Sequence, residues 1–384
     1  MNKQRSAIIL FSLFLLATLS SCAKQSQTRQ DNSSVSPVIS SAQIQEIPVS
    51  GTRQLKQDTT TLSKILQQKE LLEQMERWKG KALLIKVDET QTPPEFRYYH
   101  YNDLVVDQNK NGILDSADRG FFNPASTVKV GISALVLEKL NQMNLGRETE
   151  YRVSGTSQWY VIADDIRRAL VISDNESTNR LMLFLGFEGL NQKMKEKGLQ
   201  YFSVDRLMLD KGTLVDSPPL ELRFNNKVVQ QAKQPVKRKS SCWETGRKAG
   251  NCASATDLAE VLMRIVQPEF YNTDEGFNLK QEDRIWLQGI MSHTPRQEGF
   301  NNEDDSCRFL HPLSKKIIHN SGRMLSKCGI GLFSNAYVDT SFIETDKHEK
   351  YYLIFALTPP QGTDKSTATL WMNKAVELIL PQLP

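Results

Sequence analysis

The stretch Pro-Ala-Ser-Thr-Val-Lys, residues 124–129, opens a strongly apolar segment that runs to Met143. Ser126 stands where helical spacing begins, and Lys129 follows three residues later. On a helix, residues three apart lie on the same face, one turn from each other. A lysine at that position can take the proton of a serine hydroxyl, which is a weak nucleophile until a base activates it. The spacing predicts a nucleophile and its base at the start of a buried helix.

A second stretch, Ser173-Asp174-Asn175, falls between two segments with helical spacing. The side chains of Ser173 and Asn175 are two residues apart and can point the same way. A hydroxyl there can relay a proton, and an amide can hold a substrate carbonyl. Taken alone, the stretch is equally typical of an N-cap for a helix that starts at Glu176.

The two stretches together resemble the motifs of the class A β-lactamase and penicillin-binding serine hydrolase family. Residues 124–129 are similar to its nucleophile motif, and residues 172–179 are similar to its second motif. The resemblance covers residues 61–384. It implies an α+β fold of the three-layer α/β/α type, in which terminal helices flank an antiparallel sheet and an all-helical lobe lies between them. The pattern along the chain agrees, since strands are predicted near both ends and helices in the middle.

The resemblance also implies a role for each of these residues. Ser126 would attack the acyl carbon of a small-molecule β-lactam or a peptidoglycan-like amide. Lys129 would take the serine proton, Ser173 would relay a proton to the leaving nitrogen, and Asn175 would position the substrate. No cofactor is needed for this chemistry, and we expect a monomer.

The family's third motif, Lys-Thr-Gly, has two candidate positions here. An apolar strand predicted at residues 316–320 runs directly into Asn320-Ser321-Gly322, which keeps the hydroxyl and the glycine but replaces the lysine. Arg323 would then partly restore the positive charge for a substrate carboxylate. The less favoured alternative is Lys-Cys-Gly at residues 327–329. By position, the first alignment assigns the oxyanion hole to the backbone N–H groups of Ser126 and Arg323.

Deacylation in the family's β-lactamases uses a loop that reads Glu-x-x-Leu-Asn. Residues 221–225, Glu-Leu-Arg-Phe-Asn, resemble it and make Glu221 the expected base, with Glu244 as a weaker candidate. A D,D-peptidase-like penicillin-binding protein is the alternative if no such base exists. A non-catalytic peptidoglycan- or envelope-binding module with the same fold is a further alternative, which Asn320 favours.

The N-terminus indicates the compartment. Residues 1–22 combine a basic start with a short apolar segment and end in Leu-Ser-Ser-Cys, which resembles a bacterial lipobox. Cys22 would then carry the lipid, with an ordinary secretory signal as the alternative. Residues 23–60 are poor in aromatic side chains and are predicted to be a flexible tether before the domain at 61–384. We expect a protein of the bacterial cell envelope, at the outer membrane facing the periplasm, that contacts the membrane through the lipid on Cys22.

The cysteines and the charge add two further expectations. With Cys22 acylated, proximity in the sequence favours the disulfides Cys242–Cys252 and Cys307–Cys328, with buried thiols as the alternative. Lysine and arginine number 48 against 44 acidic residues, so the net charge of +4 gives no reason to expect nucleic-acid binding.

Residues 107–118 fit the pattern of a calcium-binding loop, with glycine at its sixth position. The alternative is a polar turn. A structural calcium ion would be held by Asp107, Asn109, Asn111, Ile113, Asp115 and Asp118.

The remaining periodicity predicts one helix over residues 61–78 and a long loop or insertion over residues 210–252.

Overall fold

The computed structural model describes residues 53–105, 120–210, 214–237, 250–301, 309–310, 322–331 and 335–384. Several predictions concern positions outside these ranges and stay predictions. They are the lipid signal with Cys22, the calcium loop at 107–118, Asn320, Ser321, Cys242, Glu244 and Cys307.

The strands of the described residues form two separate sheets. In chain order they are β1 (Gln54–Asp58), β2 (Lys81–Asp88), β3 (Glu95–Tyr101), β4 (Glu150–Val153), β5 (Tyr160–Val161), β6 (Leu220–Phe224), β7 (Lys227–Gln231), β8 (Arg323–Gly331), β9 (Ala336–Glu344) and β10 (Lys350–Leu357). The larger sheet has the order β1-β3-β2-β10-β9-β8, and the smaller one has the order β5-β4-β6-β7. All pairs are antiparallel except β1 with β3.

The helices fall into a terminal group and a central group. The described α-helices are α1 (Thr61–Gln68), α2 (Leu72–Arg77), α3 (Lys129–Gln142), α4 (Ile162–Val171), α5 (Asn175–Leu185), α6 (Phe187–Glu196), α7 (Ala255–Val266), α8 (Gln281–Ser292) and α9 (Lys365–Ile379). None of the helices in the described ranges is long and apolar enough to cross a membrane.

The larger sheet has a hydrophobic core on each face, which confirms the three-layer fold. Side chains of β2, β9 and β10 that point to one face pack with α1, α2 and α9, as Leu84, Leu353 and Met372 do. Side chains of the opposite face pack with the central helices, as Ile85 and Ile354 do. Alternation along each strand sends neighbouring residues to opposite faces, so strands buried on both faces read as nearly continuous apolar runs.

The central lobe is not all-helical, so this part of the fold prediction is wrong. The smaller sheet belongs to it, and β6 and β7 lie inside the stretch that was expected to be a long loop. Asn225 and Asn226 join the two strands, both with positive φ, as a two-residue hairpin turn requires. Half-exposed strands of five residues carry little apolar periodicity, which explains why the sequence pattern did not reveal them.

Two further boundaries differ from the prediction. The flexible tether was predicted to extend to residue 60, but β1 already pairs with β3 from Gln54 to Asp58, so the folded part begins earlier. The single helix expected over 61–78 is broken between α1 and α2, where Glu70 adopts a positive φ of 56°. A left-handed residue cannot continue a right-handed helix, so the chain turns there.

A buried charged cluster attaches the start of the described chain to the central lobe. Arg53 donates to the Glu260 carboxylate at 3.3 Å and to the Tyr271 hydroxyl at 2.7 Å. Arg264 lies 3.4 Å from the same carboxylate, and the Tyr98 hydroxyl donates to it at 2.9 Å. Burial alone would raise the pKa of Glu260, but the two guanidinium charges outweigh it and hold that pKa below its usual range. Because a buried carboxylate without these partners would be costly, β1 is a fixed part of the fold.

Asp257 makes the stability of the fold depend on pH. It lies buried in the first turn of α7 and accepts the Tyr201 N–H at 2.6 Å. Burial raises the pKa of Asp257 to about 7, because the charged form loses its hydration. The folded protein therefore binds this proton more tightly than the unfolded chain, and stability from this group is lost as the pH rises from about 4 to about 7.

We expect Asp257→Asn to remove this pH dependence. The Tm of the variant relative to the wild type should rise between about pH 4 and pH 8, measured by thermal unfolding across that range. A difference in Tm that stays constant over the whole range would contradict the assignment.

Candidate active site

Ser126 lies on a short 3₁₀ turn, Ala125–Val128, that leads directly into α3. The residue before it, Ala125, has a positive φ of 48°, and its N–H is held by the Asn123 side-chain oxygen at 2.9 Å. A non-glycine residue in this conformation is strained, and such strain is typical of functional sites. The turn fixes the backbone of Ser126 at the junction of the central lobe and the larger sheet, since it contacts β8 and β9.

Lys129 is fully buried at the first position of α3 and connects to the second motif. Its Nζ donates to the Ser173 carbonyl oxygen at 2.7 Å, to Ser173 Oγ at 3.1 Å and to Asn175 Oδ1 at 2.8 Å. Ser173 itself has a positive φ of 56°, which turns its backbone and side chain towards the same amine. The structure thus brings Lys129 into contact with Ser173 and Asn175.

The second motif also caps a helix, as the alternative proposed. Asp174 is the N-cap of α5, and its side chain accepts the Ser177 N–H at 2.8 Å. The two interpretations are compatible, because the cap fixes the loop whose neighbouring side chains contact Lys129.

A second lysine reaches the same serine from the sheet. Lys327, fully buried on β8, donates from Nζ to Ser173 Oγ at 2.9 Å and to the Cys328 carbonyl oxygen at 2.9 Å. The hydroxyl of Ser173 thus lies between two amines, one from the central lobe and one from the sheet. The less favoured alternative, Lys327-Cys328-Gly329, thus has its lysine at the site. Asn320 and Ser321 lie outside the described residues, so the favoured alignment stays a prediction.

Alternation along β8 separates the three residues of this motif. A Cβ added to Gly329 would lie 2.5 Å from the Ser126 backbone nitrogen and 2.8 Å from the Ala125 Cβ. The strand therefore passes so close to the nucleophile that only glycine fits there. Cys328 points to the other face, where it is buried among the side chains that pack with α1, α2 and α9.

Residues 93–380 match the family described as the beta-lactamase enzyme family. The chain belongs to this family. None of the curated proteins is detectably similar to it in sequence.

Solved structures of this fold are similar over most of the chain. PBP-A, solved as a point mutant in an acyl-enzyme complex with penicillin-G, has 15% identity and a TM-score of 0.55 and covers 85% of this chain and 98% of its own. The chromosome-encoded β-lactamase of Vibrio parahaemolyticus has 13% identity and a TM-score of 0.54, with 81% and 97% covered. A variant of the class A β-lactamase of the last common ancestor of Gram-negative bacteria has 15% identity and a TM-score of 0.55, with 83% and 97% covered. At these identities the likeness shows the fold.

The other residues expected in the family's third motif lie elsewhere. Arg323 is half-exposed at the start of β8 and forms an ion pair with Glu344 at 2.9 Å. Gly322 donates its N–H to Asp346 at 3.0 Å. By the same positional rule, Lys327-Cys328-Gly329 would assign the second oxyanion donor to Ile330, the residue after Gly329, in place of Arg323. The residues of β8 that reach the site are decided by the register in which β8 pairs with β9. The apolar run at residues 316–320, on which the favoured alignment was based, carries no information about that register.

Glu221 is not the residue of a deacylation loop. It lies in β6, in the middle of the smaller sheet, and its two oxygens each accept from the Arg152 guanidinium at 3.1 Å. Arg152 stands directly opposite on β4. A cross-strand ion pair of this kind stabilises a sheet, and it occupies the carboxylate that the prediction assigned to water activation.

The segment that does line α5 beside the site carries a methionine. Asn179 binds both backbone groups of Met208, accepting its N–H at 2.7 Å and donating to its carbonyl at 3.4 Å. Asn175 and Asn179 are one helical turn apart on α5, so the backbone of Met208 lies about one turn from the side chain that accepts from Lys129. Met208 is buried and begins a 3₁₀ turn, Met208–Asp210. The sequence analysis did not identify Met208. The feature that could have pointed to it is Asn179, which lies four residues after Asn175 and binds the Met208 backbone.

The two predicted disulfides have separate outcomes, and the calcium loop at 107–118 lies outside the described residues. Cys328 is a buried thiol, so the predicted Cys307–Cys328 disulfide is wrong. Cys252 is disulfide-bonded to a residue outside the described ranges, and its pairing with Cys242 stays a prediction. Within the part of the chain that the structure describes, no three His, Cys, Asp or Glu side chains cluster as a metal site would need.

We expect Gly329→Ala to slow the labelling of the protein by a fluorescent penicillin by about 10²–10³, because the new methyl group displaces the Ser126 backbone and its N–H donor. Cys328→Ala, one residue away on the opposite face, is the matched control and should keep the rate within about twofold. Time-resolved gel fluorescence measures both rates, and thermal unfolding checks that both variants fold. Equal rates for the two folded variants would contradict this arrangement of β8.

Proposed function

We propose that the protein is an acyl-transfer enzyme of the cell envelope in which Ser126 is acylated by a β-lactam or a related peptidoglycan-like amide. One observation carries the proposal: the Ser173 hydroxyl is bound by Lys129 and by Lys327, beside a serine on a strained turn. Membership of the β-lactamase enzyme family supports the same chemistry. Two lysines around one hydroxyl have no evident structural need, because burying two amines is costly.

The geometry accounts for bond formation. In this proposal the amine of Lys129 accepts the Ser126 hydroxyl proton while Oγ bonds to the acyl carbon. The carbonyl oxygen becomes an oxyanion, which the backbone N–H groups of Ser126 and Ile330 would stabilise. Gly329 allows the two segments that carry these N–H groups to approach so closely.

The same groups account for bond breaking. The carbon–nitrogen bond breaks, and the leaving nitrogen takes a proton from Ser173 Oγ. The Lys129 ammonium replaces that proton across 3.1 Å. The Lys327 amine donates to Ser173 Oγ at 2.9 Å, so it orients this hydroxyl, and in this proposal it also binds a substrate carboxylate. The thiol of Cys328 takes no part, since it faces the opposite side of the sheet.

The acyl-enzyme should be long-lived. Glu221 is bound to Arg152 in the smaller sheet, and Met208, whose backbone Asn179 binds on α5, carries no carboxylate that could activate water. This arrangement supports a penicillin-binding, D,D-peptidase-like enzyme over a β-lactamase with rapid turnover. Asn320 was the reason for the non-catalytic alternative, and the position of Lys327 at the Ser173 hydroxyl is our reason to favour an enzyme.

We further propose that the domain is attached to the envelope through a lipid on Cys22 and works at the outer membrane facing the periplasm. The support is the lipobox-like end of the signal segment. Calcium binding by the loop at 107–118 and a monomeric state stay predictions from the sequence.

We expect the wild type to take up one penicillin and to remain acylated. Intact mass spectrometry over time should show a stable single adduct, and Ser126→Ala should show none. Glu221→Gln should leave the lifetime of the adduct within about twofold, because that carboxylate serves the ion pair with Arg152. Rapid loss of the wild-type adduct that becomes slow in Glu221→Gln would contradict this assignment, and an adduct on Ser126→Ala would contradict the nucleophile.

We expect Met208→Glu to shorten the life of the acyl-enzyme by about tenfold or more, because a carboxylate there can act as a general base for water. Met208→Gln has nearly the same shape without the charge and is the matched control. Intact mass after removal of excess penicillin gives both lifetimes. If the Glu and Gln variants lose the adduct equally slowly, the residue does not lie where a base is needed.

A further inference from the structure

The chain between α6 and the 3₁₀ turn at Met208 runs through the interior of the central lobe. Residues 201–208, which form the Met208 segment, include Phe202 and Val204, whose side chains are fully buried. Backbone N–H and carbonyl groups buried in this way need partners within the protein. Side chains of neighbouring elements supply many of these partners, so the position of the segment depends on individual residues.

Two buried asparagines bind the middle of the Met208 segment. Asn191, on α6, accepts the Val204 N–H and donates to the Val204 carbonyl oxygen, both at 2.8 Å. Asn251 Oδ1 accepts the N–H groups of Asp205 at 2.9 Å and of Arg206 at 3.1 Å. Neither asparagine is more than 5% exposed, so these bonds are shielded from water.

The two asparagines use different atoms. Asn191 Nδ2 donates to the carbonyl oxygens of Val204 and Phe187, both at 2.8 Å, so this side chain must be a donor as well as an acceptor. The described contacts of Asn251 with the segment use its acceptor oxygen. An aspartate has nearly the same shape and two acceptor oxygens, but no donor when it is ionised. It can therefore replace Asn251 in this role, but not Asn191.

The chain at residues 251–253 lies between the Met208 segment and the turn of the nucleophile. Its middle residue exchanges two backbone hydrogen bonds with Ser203, at 2.9 and 3.0 Å, and its last residue exchanges two with Phe122, both at 3.2 Å. Phe122 precedes Ser126 by four residues. The Met208 segment is therefore bound both to the chain that leads to Ser126 and, through Asn179, to α5.

We propose that Asn191 and Asn251 are positioning residues that hold the Met208 segment in place and so keep water away from the ester on Ser126. The inference rests on the proposed function, because it requires an acyl-enzyme. Each asparagine acts through the backbone that it binds. Loss of its contacts leaves buried backbone groups without partners, so the segment opens more often while the rest of the domain stays folded.

The open segment admits water to the ester. Water adds to the acyl carbon, the bond from that carbon to Ser126 Oγ breaks, and a proton from the water returns to Oγ. The products are a free acid and the restored serine hydroxyl. The two asparagines thus determine how long the acyl group stays on the protein.

The lifetime of the penicillin adduct separates this role from a purely structural one. In Asn251→Ala the adduct should be lost about fivefold or more faster than in the wild type, because unpaired buried N–H groups raise the population of the open segment. Labelling by a fluorescent penicillin should stay within about twofold, since the contacts of Lys129 and Lys327 are unchanged. Intact mass spectrometry after removal of excess penicillin measures the lifetime, and gel fluorescence measures the labelling rate.

Aspartate substitutions add a test that a general loss of stability would not pass. Asn251→Asp keeps the acceptor oxygen and should keep the adduct lifetime within about twofold of the wild type. Asn191→Asp loses the donor to two carbonyl oxygens and should shorten the lifetime as Asn251→Ala does.

Asn373→Ala, on α9, is the matched control. The Asn373 amide also binds backbone carbonyls, those of Phe309 and Thr369, but it lies at the opposite face of the larger sheet. Its loss should lower the Tm and leave the adduct lifetime unchanged. Thermal unfolding checks that each variant folds, and Asn251→Ser replaces Asn251→Ala if the latter is unstable.

Two results would overturn the proposal. One is a lifetime within about twofold of the wild type in both Asn191→Asp and the folded Asn251→Ala or Asn251→Ser. The other is an equal shortening in Asn373→Ala, which would make the effect one of stability alone.

Failure of the proposed function has a different signature. If penicillin labels no form of the protein, the acyl-transfer proposal fails, and hydrogen exchange followed by mass spectrometry then tests the two asparagines directly. Faster exchange of the backbone amides of residues 203–208 in Asn191→Asp and Asn251→Ala, but not in Asn373→Ala, supports their positioning role. Unchanged exchange in these residues refutes it.

Discussion

The Ser173 hydroxyl, bound by one lysine from each half of the molecule, is the contact on which the site depends. Lys129 begins a buried helix of the central lobe, and Lys327 lies on a strand of the larger sheet. Neither amine could be buried without acceptors, and the loop at Ser173 supplies oxygen atoms to both. The two halves must therefore dock in one relative position, and that position also brings Gly329 against the backbone of Ser126.

The contact between the two halves explains why the backbone is strained at Ala125 and Ser173. Ala125 and Ser173 both have positive φ values, and each precedes a helix that carries a group of the site. The N-cap at Asp174 and the side chain of Asn123 hold these turns in place through backbone N–H groups. The fold thus stabilises a conformation that an isolated peptide would leave, which keeps the reacting groups ordered before a substrate binds.

The central lobe also holds the segment of Met208 against α5. Asn179 binds both backbone groups of Met208 there, one helical turn from Asn175, and the proposal of a long-lived acyl-enzyme depends on this placement.

The sequence by itself determined whatever depends on spacing within one helix or one cap. Ser126 with Lys129, and Ser173 with Asn175, are local pairs whose spacing follows from helical periodicity, and the structure brings Lys129, Ser173 and Asn175 into contact. Only the tertiary structure decided that Lys327 lies at Ser173, that Glu221 pairs with Arg152, and that the central lobe contains a second sheet. Each depends on which strand pairs with which, and a shift of one residue in register reverses the face that a side chain occupies. The pairing of β8 with β9 places Lys327 in the site, and the pairing of β6 with β4 places Glu221 opposite Arg152. Strands that pair over long distances in the sequence leave no local pattern from which their register could be predicted.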